Sequence, residues 1–234
     1  MALRVGVVGM RGIGNTHASA HKNDDLAELV AVCDVIKQPA DEAAEKFGVK
    51  AYYSLSDMLA NEDLDIIDVT TGGIENGSWH YEPVMEALEA GKNVLVEKPI
   101  SNDINLAREM VATATKKDVY LGCNLNHFFT EPAARAKQYM QDGQIGEIVS
   151  IEENFIRGPY GATARPQGLR ELEAQFGNQY RFSWLCGDDV TQSLVHNMDR
   201  ATWAMKETPP LKCHGLGGRS GVQNLLGDVF DHHS

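Results

Sequence analysis

Leu3-Arg4-Val5-Gly6-Val7-Val8 passes without a spacer into Gly9-Met10-Arg11-Gly12-Ile13-Gly14-Asn15-Thr16-His17, a glycine-rich turn that opens a helical pattern. Strand, tight turn and helix in that order call for a parallel neighbour, because the helix carries the chain back to the same end of the sheet. Further apolar runs rich in Val, Ile and Leu lie at 28–33, 65–70, 93–96 and 119–123, with helical patterns between them that include 78–90 and 103–117. Short continuous apolar runs alternating with helices mean strands covered on both faces. The expected class is α/β, with a doubly wound parallel sheet at the N-terminus.

The turn itself points to a ligand. A dinucleotide turn of the form G-x-G-x-x-G needs glycines for the bend, for close approach of a pyrophosphate, and for helix–strand packing. Gly9 and Gly14 fill the first and third positions, while Arg11 stands at the second with Gly12 beside it. A Cβ at Arg11 crowds the pyrophosphate unless Gly12 lets the loop shift or the Arg11 side chain reaches a phosphate. Met10 and Ile13 complete the loop. Asp34 ends the second apolar run, twenty positions beyond Gly14, where an acid accepts hydrogen bonds from ribose hydroxyls. An acid there disfavours a 2′-phosphate, so the expected cofactor is NAD. Arg11 and Lys37 blunt that preference and leave NADP as the alternative. The same glycines also suit an ordinary turn in a doubly wound domain.

The pattern changes near residue 125. A helix is expected over 131–141, an alternating strand over 148–155, a long irregular stretch over 157–179, a helix over 189–205 stopped by Pro209 and Pro210, and a strand over 211–215. Long loops are usually functional or mobile. Two domains are therefore expected: 1–124 binds nucleotide, and 125–234 is the start of an α+β domain of strands and helices.

Lys98 follows the run 93–96 in Glu97-Lys98-Pro99. Ligands of doubly wound sheets sit outside the carboxyl ends of the strands. An ammonium in such a cleft has a lowered pKa and suits general acid–base work; the competing reading is a solvated lysine before a turn proline. Gln192, His196 and Asp199 fall at i, i+4 and i+7, one face of a helix. His196 can bind a hydroxyl or shuttle a proton, with Asp199 fixing its tautomer. Thr70 and Thr71 follow the run 65–70. Asn76 and His80 come next, and Asn124, Asn126 and His127 follow the run 119–123. Tyr180 and Trp184 can stack on the flat face of a ligand, though aromatics at that spacing are more often core. Asp231-His232-His233 lacks further ligands, so no metal is expected.

Several of these segments occur together in a familiar order. Gly9, Gly12, Gly14 and His17 make Gly-x-x-Gly-x-Gly-x-x-His; then come Glu89-Ala90-Gly91-Lys92-Asn93-Val94-Leu95-Val96-Glu97-Lys98-Pro99, Gly143-Gln144-Ile145-Gly146-Glu147-Ile148 and Val195-His196-Asn197-Met198-Asp199. The chain resembles the glucose–fructose oxidoreductase/inositol dehydrogenase/MocA family, and Tyr180-Arg181-Phe182-Ser183-Trp184-Leu185-Cys186-Gly187-Asp188 looks like its sugar-oxidoreductase branch. The resemblance implies a Rossmann domain followed by an α+β domain. It also implies NAD(P)-dependent oxidation of a secondary alcohol on a sugar, polyol or related compound. Lys98 then positions substrate and transfers a proton, and His196 is the catalytic imidazole. Asn126, His127, Tyr180, Trp184, Gln192 and Asp199 line the substrate side. Gly9, Met10, Arg11, Gly12, Ile13, Gly14, Asp34, Thr70, Thr71, His80, Glu97, Lys98 and Asn126 line the cofactor side, with His80 near the cofactor or packed at the domain seam. Glu97 reads as a structural partner of Lys98 rather than a second catalyst. Where the family often carries an acid four positions before the histidine, this chain has Gln192. Relatives in the same family include redox-assisted glycosidases that recycle NAD, and a non-catalytic nucleotide- and sugar-binding sensor is the third reading.

Family members usually continue well beyond this length, so the second-domain sheet is expected to be cut short at Ser234. An open edge and apolar face then predict homo-oligomers through that sheet. Net charge is −12, from 33 acidic and 21 basic residues. A surface that acidic argues against nucleic acid or an anionic membrane as partner. No run approaches the roughly 18 apolar residues of a spanning helix, and no signal peptide is read at the N-terminus. Four scattered cysteines read as buried thiols, which favours the cytoplasm.

Overall fold

A computed structural model describes residues 2–73, 75–156, 190–206 and 208–216. The chain divides after Asn124 into two compact units. In the first, strands β1 (Leu3–Val8), β2 (Ala27–Cys33), β3 (Lys50–Tyr52), β4 (Ile66–Val69), β5 (Asn93–Val96) and β6 (Leu121–Cys123) alternate with helices α1 (Gly12–Lys22), α2 (Lys37–Phe47), α3 (Leu55–Asn61), α4 (Tyr81–Glu89) and α5 (Ile104–Lys117). The six strands form one parallel sheet in the order β3-β2-β1-β4-β5-β6. The order reverses at β1, so the carboxyl ends of β1 and β4 flank the crevice in which such sheets bind ligands.

Strand side chains alternate between faces, and both faces are covered. Val5, Val7, Leu29 and Val32 pack with Met10, Ala18, Ala43 and Phe47 of the α1–α2 side. Val8, Ala31, Ile67, Val69, Val94 and Val96 pack with Leu55, Met58, Val84, Leu88 and Met110 of the α3–α5 side. Asp103 caps α5 by accepting from the Asn105 N–H, and Ser54 caps α3 by accepting from Asp57 N–H. The three-residue edge strand β3, Lys50-Ala51-Tyr52, is too short and too polar to register as an apolar run.

In the second unit a 3₁₀ turn (Asn126–Phe129) leads into α6 (Glu131–Gln141). A π-helical turn (Val190–Leu194) runs directly into α7 (Val195–Ala204). Phe128 meets Trp203 edge-on at 5.7 Å, and Lys137 Nζ lies 4.4 Å from the Phe128 ring centre and 4.7 Å from that of Trp203. This cation–π contact ties α6 to α7. The strands expected over 148–155 and 211–215 do not form: among the described residues neither segment has strand pairing. Alternation of side chains gives a segment two faces, but a strand exists only where a neighbour completes its ladder. The open sheet expected to join two copies is accordingly not found among the described residues.

The thiols also differ from expectation, since Cys33 is buried, Cys123 half-buried and Cys213 exposed. Among the described residues no helix is long and apolar enough to cross a membrane.

Candidate functional site

The turn after β1 is held by contacts that leave its outer side open. Gly9 has φ +98°, and a Cβ there would meet Thr71 N at 2.8 Å. A Cβ on Gly14 would lie 1.9 Å from Gly9 O. Gly12 differs: nothing lies within 4 Å of its missing Cβ. Helix α1 starts there with no side-chain cap on Arg11 and no acid in its first turn. The exposed Gly12 and Ile13 therefore present main-chain N–H groups at the positive end of the helix, where an anion is stabilised. Arg11 is half-buried beside them.

Asp34, buried at the end of β2, accepts from Met10 N–H and Ile36 N–H, each at 2.9 Å. The carboxylate expected to meet a ribose thus also braces the turn. Thr70 Oγ1 lies 3.0 Å from Val8 O and 2.8 Å from Gly9 O, and Thr71 Oγ1 donates to Trp79 O at 2.7 Å. Both hydroxyls hold backbone. His80 is 2% exposed, with Nδ1 2.8 Å from Pro99 O and Nε2 against Thr71 O. Burial holds this imidazole below its ordinary pKa. Both its nitrogens face main-chain carbonyls, so His80 ties the loop after β4 to the segment after β5 rather than offering a ring nitrogen to a ligand. The Asn76 Nδ2 in that loop is buried without a hydrogen-bond partner, an amide donor suited to an acceptor from a ligand.

Beneath the Glu97-Lys98-Pro99 segment lies a cluster of buried charges. His17 Nδ1 is 2.9 and 3.1 Å from the two oxygens of Asp68, and His17 Nε2 is 3.0 Å from Glu97 Oε1. His21 Nε2 reaches Asp68 Oδ2 at 2.7 Å. Asn124 donates to Glu97 Oε1, and Glu97 Oε2 accepts from Lys98 N–H at 3.0 Å. Glu97, 9% exposed, therefore directs its carboxylate at the chain itself, in the manner of the structural partner. Lys98 is half-buried. Burial opposes the charge on His17, but hydrogen bonds and charges from Asp68 and Glu97 outweigh it and raise the imidazole from 6.5 to about 9. Burial pushes Asp68 and Glu97 upward, yet their partners hold both carboxyls below the usual range.

The sign of the His17 shift fixes a pH dependence. Below 6.5 the folded and unfolded chains both hold the proton, and the stabilisation is complete; it is lost as pH rises through about 9. Folding stability measured by urea denaturation is expected to fall by about 3 kcal/mol across that window. His17→Gln should flatten the profile there, and a flat wild-type profile contradicts the assignment.

In the second unit the His127 and His196 rings stack, with centres 4.0 Å apart and planes 19° off parallel, and Phe155 lies 6.3 Å beyond His127. Gln192 and His196 are buried, while Asp199 is half-buried. A π turn precedes His196, and the ring set against His196 is His127. Burial raises the Asp199 carboxyl and Arg200 lowers it. Ser193 Oγ donates to Gln192 Oε1. Asn126 is exposed at the start of the 3₁₀ turn. Tyr180, Trp184, the 157–179 stretch and Asp231-His232-His233 lie outside the described residues.

Sequence reasoning missed Asp68, His21 and the role of His17. A signal was present: Asp68 is the one acid in Ile66-Ile67-Asp68-Val69, and His17 and His21 fall at i, i+4.

A family model described as "Oxidoreductase family, NAD-binding Rossmann fold" matches residues 3–125. D-glucoside 3-dehydrogenase of Escherichia coli (strain K12) is 33% identical over 66% of this chain and 44% of its own length. Myo-inositol 2-dehydrogenase of Thermotoga maritima is 32% identical over 62% of this chain and 42% of its own. This chain thus spans less than half the length of either curated relative. The solved structure of the WlbA dehydrogenase from Chromobacterium violaceum, in complex with NADH and UDP-GlcNAcA, superposes with a TM-score of 0.66 at 28% identity, over 87% of this chain and 55% of that one.

Proposed function

The chain belongs to the Gfo/Idh/MocA oxidoreductase family, whose NAD-binding Rossmann model spans more than half of it, and from that premise we propose that it binds NAD and oxidises a secondary alcohol of a sugar or polyol. The observation that carries the reading is the open first turn of α1: exposed Gly12 and Ile13, no side-chain cap, no acid, and, among the described residues, space where a Cβ on Gly12 would stand. Those groups fit a pyrophosphate, with Arg11 available to its charge. Asp34 takes the ribose hydroxyls with the lone pairs its backbone donors leave. Thr70, Thr71 and Asn76 shape the loop alongside.

When bound, the nicotinamide supplies the hydride acceptor. Lys98 accepts the proton of the substrate hydroxyl as the carbon is oxidised, a general-base role. His196 hydrogen-bonds a substrate hydroxyl with its ring orientation set by the His127 stack, and Gln192, Asp199 and Asn126 are further substrate-side groups. The related dehydrogenases act, by name, on a glucoside and on myo-inositol, which supports a ring polyol as the substrate class.

Incubating the chain with NAD and a panel of sugars and inositols, while following absorbance of the reduced cofactor, tests the reading. Reduction with at least one ring polyol is expected. Absence of NADH binding in calorimetry overturns it. Release of sugar from a chromogenic glycoside without net reduction replaces it with redox-assisted glycoside cleavage. Asp34→Ala is expected to weaken NADH binding more than NADPH binding in fluorescence titrations; equal losses assign Asp34 to bracing the turn alone.

A further inference from the structure

Both ring nitrogens of His17 face carboxylates, at 2.9 Å to Asp68 and 3.0 Å to Glu97. A neutral imidazole has one N–H. It would serve one carboxylate and turn a bare lone pair toward the other, an expensive arrangement for a buried ring. This geometry asks for both protons. The groups facing the ring are Asp68 from β4, Glu97 at the end of β5, Asn124 at the end of β6, and, on its own helix, His21, which shares Asp68.

The second oxygen of Glu97 continues the chain of contacts to Lys98 N–H. We propose that His17 is a positioning residue for Lys98, acting through Glu97. The inference rests on the role proposed above for Lys98 and adds what fixes it in place. The carboxylate of Glu97 is gripped on one oxygen by His17 and Asn124, so its other oxygen presents a fixed acceptor at the point where β5 ends. Lys98 enters the carboxyl-end crevice from that anchored amide. When His17 gives up its proton, Glu97 loses a charged donor, and the Lys98 N–H responds.

Nitrogen-15 NMR of the full-length chain between pH 6 and 10 reads this linkage directly, roughly spanning the ordinary histidine range and the raised one. In the wild type, the His17 ring is expected to titrate near 9, and the Lys98 amide signal should move with the same midpoint. In Glu97→Gln the His17 ring still titrates against Asp68 while the Lys98 amide no longer follows it. His17→Gln removes the step at Lys98. A merely structural histidine would leave the Lys98 amide indifferent to its titration. The inference is overturned if the Lys98 amide stays still while His17 titrates, or if it keeps its midpoint in either variant. Should His17→Gln fail to fold, the wild type and Glu97→Gln decide the matter. NADH added to the same wild-type sample separates the two levels: no binding removes the reading of Lys98, whereas binding with an indifferent Lys98 amide removes only the linkage.

Discussion

Lys98→Met is expected to lower turnover on the order of 10²–10⁴-fold, the usual scale for a lost proton transfer, while leaving NADH affinity unchanged. Methionine keeps the length and apolar stem of lysine and removes only the ionisable head. The main-chain N–H that Glu97 holds is retained, so the segment after β5 keeps its anchor. Initial rates on whichever ring polyol reduces NAD, together with a fluorescence titration of NADH, separate the two effects. Normal turnover would show that the proton leaves by another group. A parallel loss of NADH affinity would show that Lys98 binds cofactor instead of moving a proton.

Gly14→Ala is expected to damage both fold and nucleotide binding. The new Cβ would lie 1.9 Å from Gly9 O and 2.7 Å from Thr70 Oγ1. Backbone must move to admit it, and the contact between Thr70 Oγ1 and Gly9 O, 2.8 Å in length, resists that movement. Overpacking of this kind costs about 3 kcal/mol, or roughly 10 °C in melting temperature for a domain of this size. NADH binding should disappear with the turn. Gly12→Ala is the control, since its Cβ meets nothing within 4 Å. That variant should melt like the wild type, and a loss of NADH affinity in it would report crowding of the pyrophosphate alone. Normal melting of Gly14→Ala would mean that the turn is looser than its contacts suggest.

How far the sequence revealed these features depended on how local their causes are. Strands β1 and β5 match the apolar runs at 3–8 and 93–96 because burial on both faces demands continuous apolar residues. The glycine turn after β1 was legible because Gly9 and Gly14 serve contacts inside the turn and with its neighbour Thr70–Thr71. The His17 cluster was not, since His17 meets Asp68 and Glu97 across separations of 51 and 80 residues, and no periodicity reports such pairing. His80 illustrates the same limit: it falls inside the helical pattern read over 78–90, but its two carbonyl partners come from segments on either side in sequence. The π turn before α7 was not legible, because one widened turn changes the hydrogen-bond pattern without changing composition. At 148–155 the alternation of residues proposed a strand, yet pairing requires a partner that spacing within one segment cannot supply.

The place of β1 has a consequence for how this polypeptide is made. Its six residues lie between β2 and β4 in the middle of the sheet. Deleting these residues would leave β3-β2 and β4-β5-β6 as two separate ribbons. During translation β1 must stay unpaired on one side until the residues of β4 emerge, with Val5 waiting for Ile66. Nascent chains arrested before that point would expose a hydrogen-bonding edge and apolar surface to chaperones.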